Sequence, residues 1–161
     1  MENIFNDYPE ELAASSESGA PAYHLTSGYY AVHGEPEPSE AAPVFTIDEG
    51  PISVMRGEPD ENAARTKLGA VYSLQSGGSL AVPTGQVLIR FVKGVAVVDR
   101  ERQIKDAGYE IEQKLDYALN IAWLRSRSKK IADALNGISA LRKIPDVENV
   151  EPQMLMQAAH R

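Results

Sequence analysis

Three histidines, His24, His33 and His160, are the first side chains of this 161-residue chain to consider as metal ligands or as a general base. Two histidines nine residues apart in a flexible segment fall short of a metal-ligand constellation. A catalytic base must also be held rigidly within hydrogen-bond reach of its nucleophile, and the serines of SSES and QSGG have no such context. We therefore expect neither an enzyme nor a metal or cofactor site.

Composition and charge exclude further classes of protein. The chain has no cysteine, so it has no disulfide framework and no thiol nucleophile. It shows no signal peptide and no apolar run near the roughly 18 residues of a membrane span, so we expect a cytoplasmic protein without a membrane partner. Residues 1–80 carry 13 acidic and 3 basic side chains, a net charge of -10, which argues against nucleic acid as their partner.

A regular pattern of apolar residues begins at Gln86 and predicts the folded part of the chain. Alternation with a period of two residues predicts strands over 86–92, 109–115 and 119–125. A helix is predicted over 100–107, where Gly108 is a suitable stop. The third of these strands places three apolar side chains in alternation: Leu119, Ile121 and Trp123. A second helix carries an apolar stripe made of Ile131, Leu135, Ile138 and Leu141.

A last strand is predicted from Val147 to Pro152, and it completes the order β-α-β-β-α-β. This order predicts an α+β fold of the ferredoxin-like, split β-α-β type, with a four-stranded antiparallel sheet and two helices on one face. Around this domain, over residues 84–153, we expect three other segments. Residues 1–42 are predicted to be a disordered acidic region, 43–83 an irregular or extended segment with short strands, and 154–161 an extended C-terminal tail.

Three stretches of the domain are VPTGQVLIRF at residues 82–91, AGYEIEQKLDYALNIAWLR at 107–125 and ALNGISALRKIPDVENVEPQ at 134–153. In order and spacing, they resemble the propeptide, or inhibitor, domain of subtilisin-like serine peptidases. The most specific of them is the third, a helix followed by the pattern xIPxVxxVEP.

The resemblance implies an inhibitor of a subtilisin-like serine peptidase that also acts as an intramolecular chaperone. In that family the exposed face of the sheet packs on two surface helices of the peptidase. By position, Glu151 matches an acidic residue that caps one of these helices, and Gln153 stands where a second acidic cap is often found. A carboxylate at a helix N-terminus is stabilising by roughly 0.3–1 kcal/mol.

The resemblance also implies that the C-terminal tail lies in the substrate cleft of the peptidase as a product-like strand. Such a strand binds through its main chain, while pockets accept alternate side chains. If Arg161 fills the primary pocket, Ala158 fills the fourth subsite; if Ala159 fills it, Met156 takes that place. The full set of inhibitory tail residues is Met156, Gln157, Ala158, Ala159, His160 and Arg161. A stand-alone inhibitor and the propeptide of a longer precursor both fit the sequence.

Two other classes of binding protein share the predicted topology. One is an assembly module whose sheet pairs with a second copy, which nothing in the sequence excludes. The other is an RNA-binding domain, which stacks bases on aromatic residues of its two central strands. Phe91 is expected to face the core, and Tyr109 and Trp123 are predicted to fall on other strands, so we expect no nucleic-acid partner.

Overall fold

The computed structural model describes residues 5–34, 43, 45–47, 52–59, 67–74 and 79–156, and most of its regular structure is antiparallel sheet. The strands are β1 Glu11–Ala13, β2 Ala22–Leu25, β3 Tyr29–His33, β4 Phe45–Ile47, β5 Ile52–Arg56, β6 Leu68–Gly69, β7 Tyr72–Ser73, β8 Leu80–Phe91, β9 Tyr109–Leu115, β10 Ala118–Ser126 and β11 Val147–Met156. The helices are a 3-10 turn at Val97–Arg100, α1 Glu101–Asp106, α2 Ile131–Asn136 and α3 Ile138–Arg142. No helix of these described ranges is long and apolar enough to span a membrane.

Strand β8 organises the larger sheet because it is long enough to pair with different strands along its two halves. Its first half pairs with β7 and with the end of β11, and its second half pairs with β10 and with the start of β11. The resulting seven-stranded sheet runs β1-β2-β7-β8-β10-β9, and β11 pairs with β8 off this path. All of these pairs are antiparallel.

Alternation along the strands decides which side chains form the main core. Val87, Ile89 and Phe91 of β8 are fully buried against the helices, as are Ala122 and Leu124 of β10. The helices supply the other layer of this core with Ile104, Ala134, Leu135, Ile138 and Leu141. Burial of alternate residues on one face is the signature of a sheet covered by helices on one side.

The prediction of a four-stranded ferredoxin-like α+β fold is wrong, because the chain forms a curled seven-stranded sheet and a second, four-stranded sheet. The physical reason is the length of β8, which begins at Leu80 and not at Gln86. Pro83 lies inside this strand. Because a proline is unusual within a strand, the sequence pattern predicts a strand that begins only after it. The six extra residues offer backbone groups that β7 and the end of β11 occupy.

The first part of the chain also differs from its prediction, because residues 5–34 contain β1, β2 and β3 where a disordered region was expected over 1–42. This segment packs on the helix side of the sheet. Leu12 is buried in the main core, the Tyr72 hydroxyl donates to the Pro9 carbonyl oxygen at 2.7 Å, and Asn136 Nδ2 donates to the Asp7 carbonyl oxygen at 2.6 Å. These contacts supply the apolar burial that the composition of the segment alone does not indicate.

The turn between β1 and β2 reaches the outer edge of β11. The Val150 amide donates to Ser16 Oγ at 3.0 Å, and the Ser16 amide donates to Asn149 Oδ1 at 2.9 Å. Arg142 Nε also donates to Ser16 Oγ, at 3.1 Å. Ser16 therefore satisfies part of a strand edge that would otherwise stand open.

The second sheet has the order β4-β5-β3-β6 and its own apolar cluster. Val54 and Ala31 are fully buried there together with Val71 and Val82, and Leu155 of β11 packs against them. The short strands expected over residues 43–83 thus extend the fold beyond the predicted domain. The cluster fixes this sheet against the first half of β8 and the end of β11.

Strand β11 passes through Pro152 and ends at Met156, although the sequence predicted that this proline would limit the strand. Pro152 pairs with Val87 of β8, and no other described strand pairs with the far edge of β11. A proline lacks the amide hydrogen, so an outward position on an edge strand costs it no ladder hydrogen bond. Pro152 therefore lies in an edge strand, a position that suits a proline.

Candidate functional site

The outward face of β8 and β10 carries apolar side chains that no helix covers. Leu119, Ile121 and Trp123 occupy alternate positions of β10, and Trp123 lies opposite Leu88 of β8. We call these four residues the apolar stripe. None of them belongs to the two apolar clusters; Leu119 is 71% exposed, whereas Leu88, Ile121 and Trp123 are half-buried. The strand thus buries Ala122 and Leu124 on one face and leaves Leu119, Ile121 and Trp123 on the other.

A polar rim surrounds the apolar stripe. Arg90 Nη2 lies 3.3 Å from Glu148 Oε1 at one side, and at the other Arg125 donates through Nε to Glu110 Oε1. Near the same end, Gln86 Nε2 donates to Glu112 Oε2 at 3.0 Å. An apolar centre inside a rim of charged and polar pairs is the anatomy of a protein–protein interface.

Glu151 and Gln153, the predicted helix-capping residues, both lie on β11 but make different contacts. Glu151 pairs with Leu88 across the strands and accepts a hydrogen bond at 3.2 Å from Asn149 Nδ2. It therefore lies beside the apolar stripe. Gln153 accepts a hydrogen bond at 2.7 Å from Thr84 Oγ1, which fixes its side chain at the bend of β8.

The predicted C-terminal tail starts at Met154, but the chain is still part of the sheet at that residue. Met154, Leu155 and Met156 continue β11 and pair with Pro83, Val82 and Ala81. The other predicted inhibitory residues, Gln157, Ala158, Ala159, His160 and Arg161, lie outside the described residues. Of the predicted inhibitory residues, the structure therefore describes Met156, at an exposed position on the end of an edge strand.

The two aromatic residues weighed for RNA binding have opposite positions. Tyr109 is buried in the main core. Trp123 lies on β10, directly beside β8 in the middle of the sheet, so the expectation that it falls on another strand is wrong. Glu110 and Glu112 lie on β9 and Glu151 lies on β11, the strands on either side of β8 and β10. Their negative charges disfavour the binding of a phosphate backbone.

A cleft of about 660 Å³ opens where the apolar stripe ends. Arg125 lines it two residues after Trp123, and Gln86 lines it two residues before Leu88, so it continues the same face. The second sheet forms the opposite wall with His33 and Gly34. Further lining comes from the bends of β8 and β11 and from the loop before α2, including Thr84, Gly85, Gln153, Lys129 and Lys130.

Burial lowers the pKa of His33, which lines the cleft, below the ordinary value of 6.5. Its Nε2 has no hydrogen-bond partner among the described residues. The ring lies against Gly69 of β6, where an added Cβ would come within 2.5 Å of Nε2. Burial therefore favours the neutral imidazole in the folded protein.

We expect acid to destabilise the protein through His33. Between its lowered pKa in the folded state and 6.5 in the unfolded chain, the unfolded chain binds more protons. The free energy of unfolding must then fall as the pH falls through 6.5 and reach a plateau above it. Urea unfolding of the wild type and of His33→Gln at a series of pH values measures this difference. Parallel curves for the two proteins would contradict it.

The structure offers no metal site among its described residues, where no three His, Cys, Asp or Glu side chains cluster. His24 lies exposed on β2 and His33 lies half-buried at the end of β3, while His160 lies outside the described residues. The sequence motifs missed the cleft because its walls come from segments that are distant along the chain. Comparisons of this chain with protein-family models, curated proteins and solved structures find no match.

Proposed function

We propose that this chain is a propeptide-type inhibitor of a subtilisin-like serine peptidase. The outward face of β8 and β10 docks on the peptidase, and the tail after β11 occupies the substrate cleft. A role in helping the peptidase to fold belongs to the same proposal. The proposal needs no catalytic residue or cofactor in this chain, and it names neither nucleic acid nor a membrane as a partner. The cytoplasmic location stays a prediction from the sequence.

The observation that carries the proposal is the apolar stripe on a face without helices. A strand that buries Ala122 and Leu124 while leaving Ile121 and Trp123 outside has an outer face as apolar as its inner one. Contiguous exposed apolar surface rimmed by polar residues marks an interaction site. Four side chains in two adjacent strands form one continuous surface, which suits contact with another folded protein.

The course of β11 supports the second half of the proposal. This edge strand is extended up to Met156, directly before the tail residues that the proposal assigns to the substrate cleft. An extended peptide adds to a strand of the peptidase through main-chain hydrogen bonds. Glu151 lies on the same strand beside the apolar stripe, where a carboxylate meets the docked surface.

Truncation of the tail tests the mechanism. We expect deletion of residues 157–161 to leave the fold intact, because none of them belongs to the described core, and to weaken inhibition strongly. The measurement is a titration of the full and the truncated chain against a panel of subtilisin-like peptidases, following hydrolysis of a peptide substrate. Thermal unfolding of both chains is the control for folding.

Equal inhibition by the two chains would contradict the product-like tail and leave the blocking to the sheet face. Absence of inhibition by the full chain across the panel would contradict the proposed function. In that case sedimentation of the free chain distinguishes the alternative, an assembly module, because a second copy that covers the apolar stripe gives a dimer.

A further inference from the structure

The cleft beside the apolar stripe has unequal charge. The described residues that line it include one carboxylate, Glu112, and three cations, Arg125, Lys129 and Lys130. Arg125 is paired with Glu110, and Glu112 accepts from Gln86. Neither lysine forms an ion pair with any residue in the described ranges. The lysine edge of the cleft thus carries positive charge, although the net charge of the whole chain is -7.

The turn that presents the two lysines is held in place by serine side chains. Ser126 Oγ donates to the Lys130 carbonyl oxygen at 3.0 Å, and the Lys130 amide donates to Ser128 Oγ at 3.2 Å. Ser128 Oγ in turn donates to Asp133 Oδ2 at 2.6 Å. The backbone that carries the lysines is thus fixed before any partner arrives, which lowers the entropic cost of binding.

Apart from His33 Nε2, which has no hydrogen-bond partner among the described residues, the remaining lining is mainly apolar or hydrogen-bonded. Ile52, Ile131 and Leu155 supply apolar surface from three separate elements. Thr84 and Gln153 satisfy each other. An occupant therefore gains most by bringing aliphatic carbon into the cleft and a negative charge to its lysine edge. A volume of about 660 Å³ accepts a side chain together with some of its flanking peptide.

We propose that this cleft binds an acidic side chain, aspartate or glutamate, on a protruding peptide segment of the protein that covers the apolar stripe. This rests on the proposed function where it names the peptidase as that protein. The cleft continues the docking face through Arg125 and Gln86, so one partner reaches both. The cleft then selects among peptidases by the presence of an acidic loop beside the docked surface, because a mismatched neutral or basic loop leaves the lysines unpaired.

A peptide titration tests the cleft without any peptidase. The probe is a blocked pentapeptide with the sequence Ala-Leu-Glu-Leu-Ala, added to the full ¹⁵N-labelled chain, and the matched control peptide carries Gln in place of Glu. We expect saturable amide shifts at Gly34, Gly85 and Lys129 with the first peptide, and affinity weaker by about tenfold with the second. Equal shifts with both peptides, or no saturable shifts at millimolar peptide, would overturn the proposal.

Charge variants locate the binding to the lysines. Lys129 has a φ of +66°, a conformation that glycine adopts readily, so Lys129→Gly removes the charge without adding backbone strain. We expect Lys129→Gly combined with Lys130→Gln to abolish the shifts caused by the acidic peptide. Lys143→Gln, at the end of α3 on the helix side, is the matched control and should leave them unchanged.

The same variants separate this proposal from the proposed function. If the wild-type chain inhibits a peptidase and the double variant inhibits it equally well, the proposed function is supported and the acidic-loop site is contradicted. If no peptidase is inhibited while the acidic peptide saturates the cleft, the proposed function is contradicted and the site for an acidic segment is supported. Weaker inhibition by about tenfold with the double variant, and not with Lys143→Gln, supports both.

Discussion

Replacement of Trp123 by alanine should raise the dissociation constant for the peptidase by about 30-fold or more. Trp123 lies at the middle of the apolar stripe, opposite Leu88 and next to Ile121 on the same face. Buried tryptophan side chains at the centre of an interface are frequent hot spots, and their truncation typically costs about 2 kcal/mol or more. At about 1.4 kcal/mol per factor of ten, that loss corresponds to the expected change in affinity.

The stability of this variant is the essential control, because a partly unfolded protein also binds weakly. Trp123 lies outside both apolar clusters, so Trp123→Ala should keep the fold. Val98→Ala is a matched variant, since Val98 is 47% exposed in the 3-10 turn before α1 and lies off the sheet face. Inhibition constants for the three proteins against one peptidase measure the effect. A Trp123→Ala protein that binds like Val98→Ala would remove the apolar stripe from the interface.

Local pattern predicted the elements of the second half of the chain because each carries its own alternation. Strand β9 spans Tyr109–Leu115 as predicted, and α1, over Glu101–Asp106, lies within the predicted helix. Gly108 ends that helix with a φ of +94°. These features depend on neighbours in sequence, which a period of two or of 3.6 residues records directly.

The complete sheet could not be predicted in this way, because β1, β2 and β7 are two to four residues long. Such runs are too short to show a period, and they are stabilised by partners that lie far away along the chain, such as Tyr72 with Pro9. The sequence also does not show which face of β10 is buried, because both faces carry apolar residues. In the structure Ala122 and Leu124 are the buried ones.

The candidate site was predictable only where it coincides with a strand. Glu151 and Gln153 were predicted from the resemblance; both lie on β11, Glu151 opposite Leu88 and Gln153 against Thr84, and their capping role stays a prediction. The cleft brings together residues 33–34, 84–86 and 125–131, and no spacing along the chain records that meeting. The charge of Lys129 and Lys130 favours binding only in combination with the surface around it, which the sequence does not show.

Gly137→Ala should lower the free energy of unfolding, although alanine is the better helix former. Gly137 separates α2 from α3, and a Cβ there would lie 2.7 Å from Tyr109 Oη and 2.9 Å from its Cε1. Tyr109 cannot move away freely, because it is buried and its hydroxyl donates to the Ala134 carbonyl oxygen. Overpacking of this kind typically costs about 1–3 kcal/mol, against a gain of about 1 kcal/mol in helix propensity. Gly137 therefore permits a close approach between this helix layer and Tyr109 of β9.

Urea unfolding of two further variants separates packing from helix propensity. Ser139→Ala changes an exposed position of α3 and should leave stability unchanged or slightly higher. Tyr109→Phe removes Oη, so adding Gly137→Ala to it should cost less than adding Gly137→Ala to the wild type, and this difference is the coupling between the two side chains. Part of the cost should remain, because Cε1 still lies within 2.9 Å of the added Cβ. A Gly137→Ala protein as stable as Ser139→Ala would mean that α2 and α3 shift away from β9, and the helix layer would then be looser than its buried contacts imply.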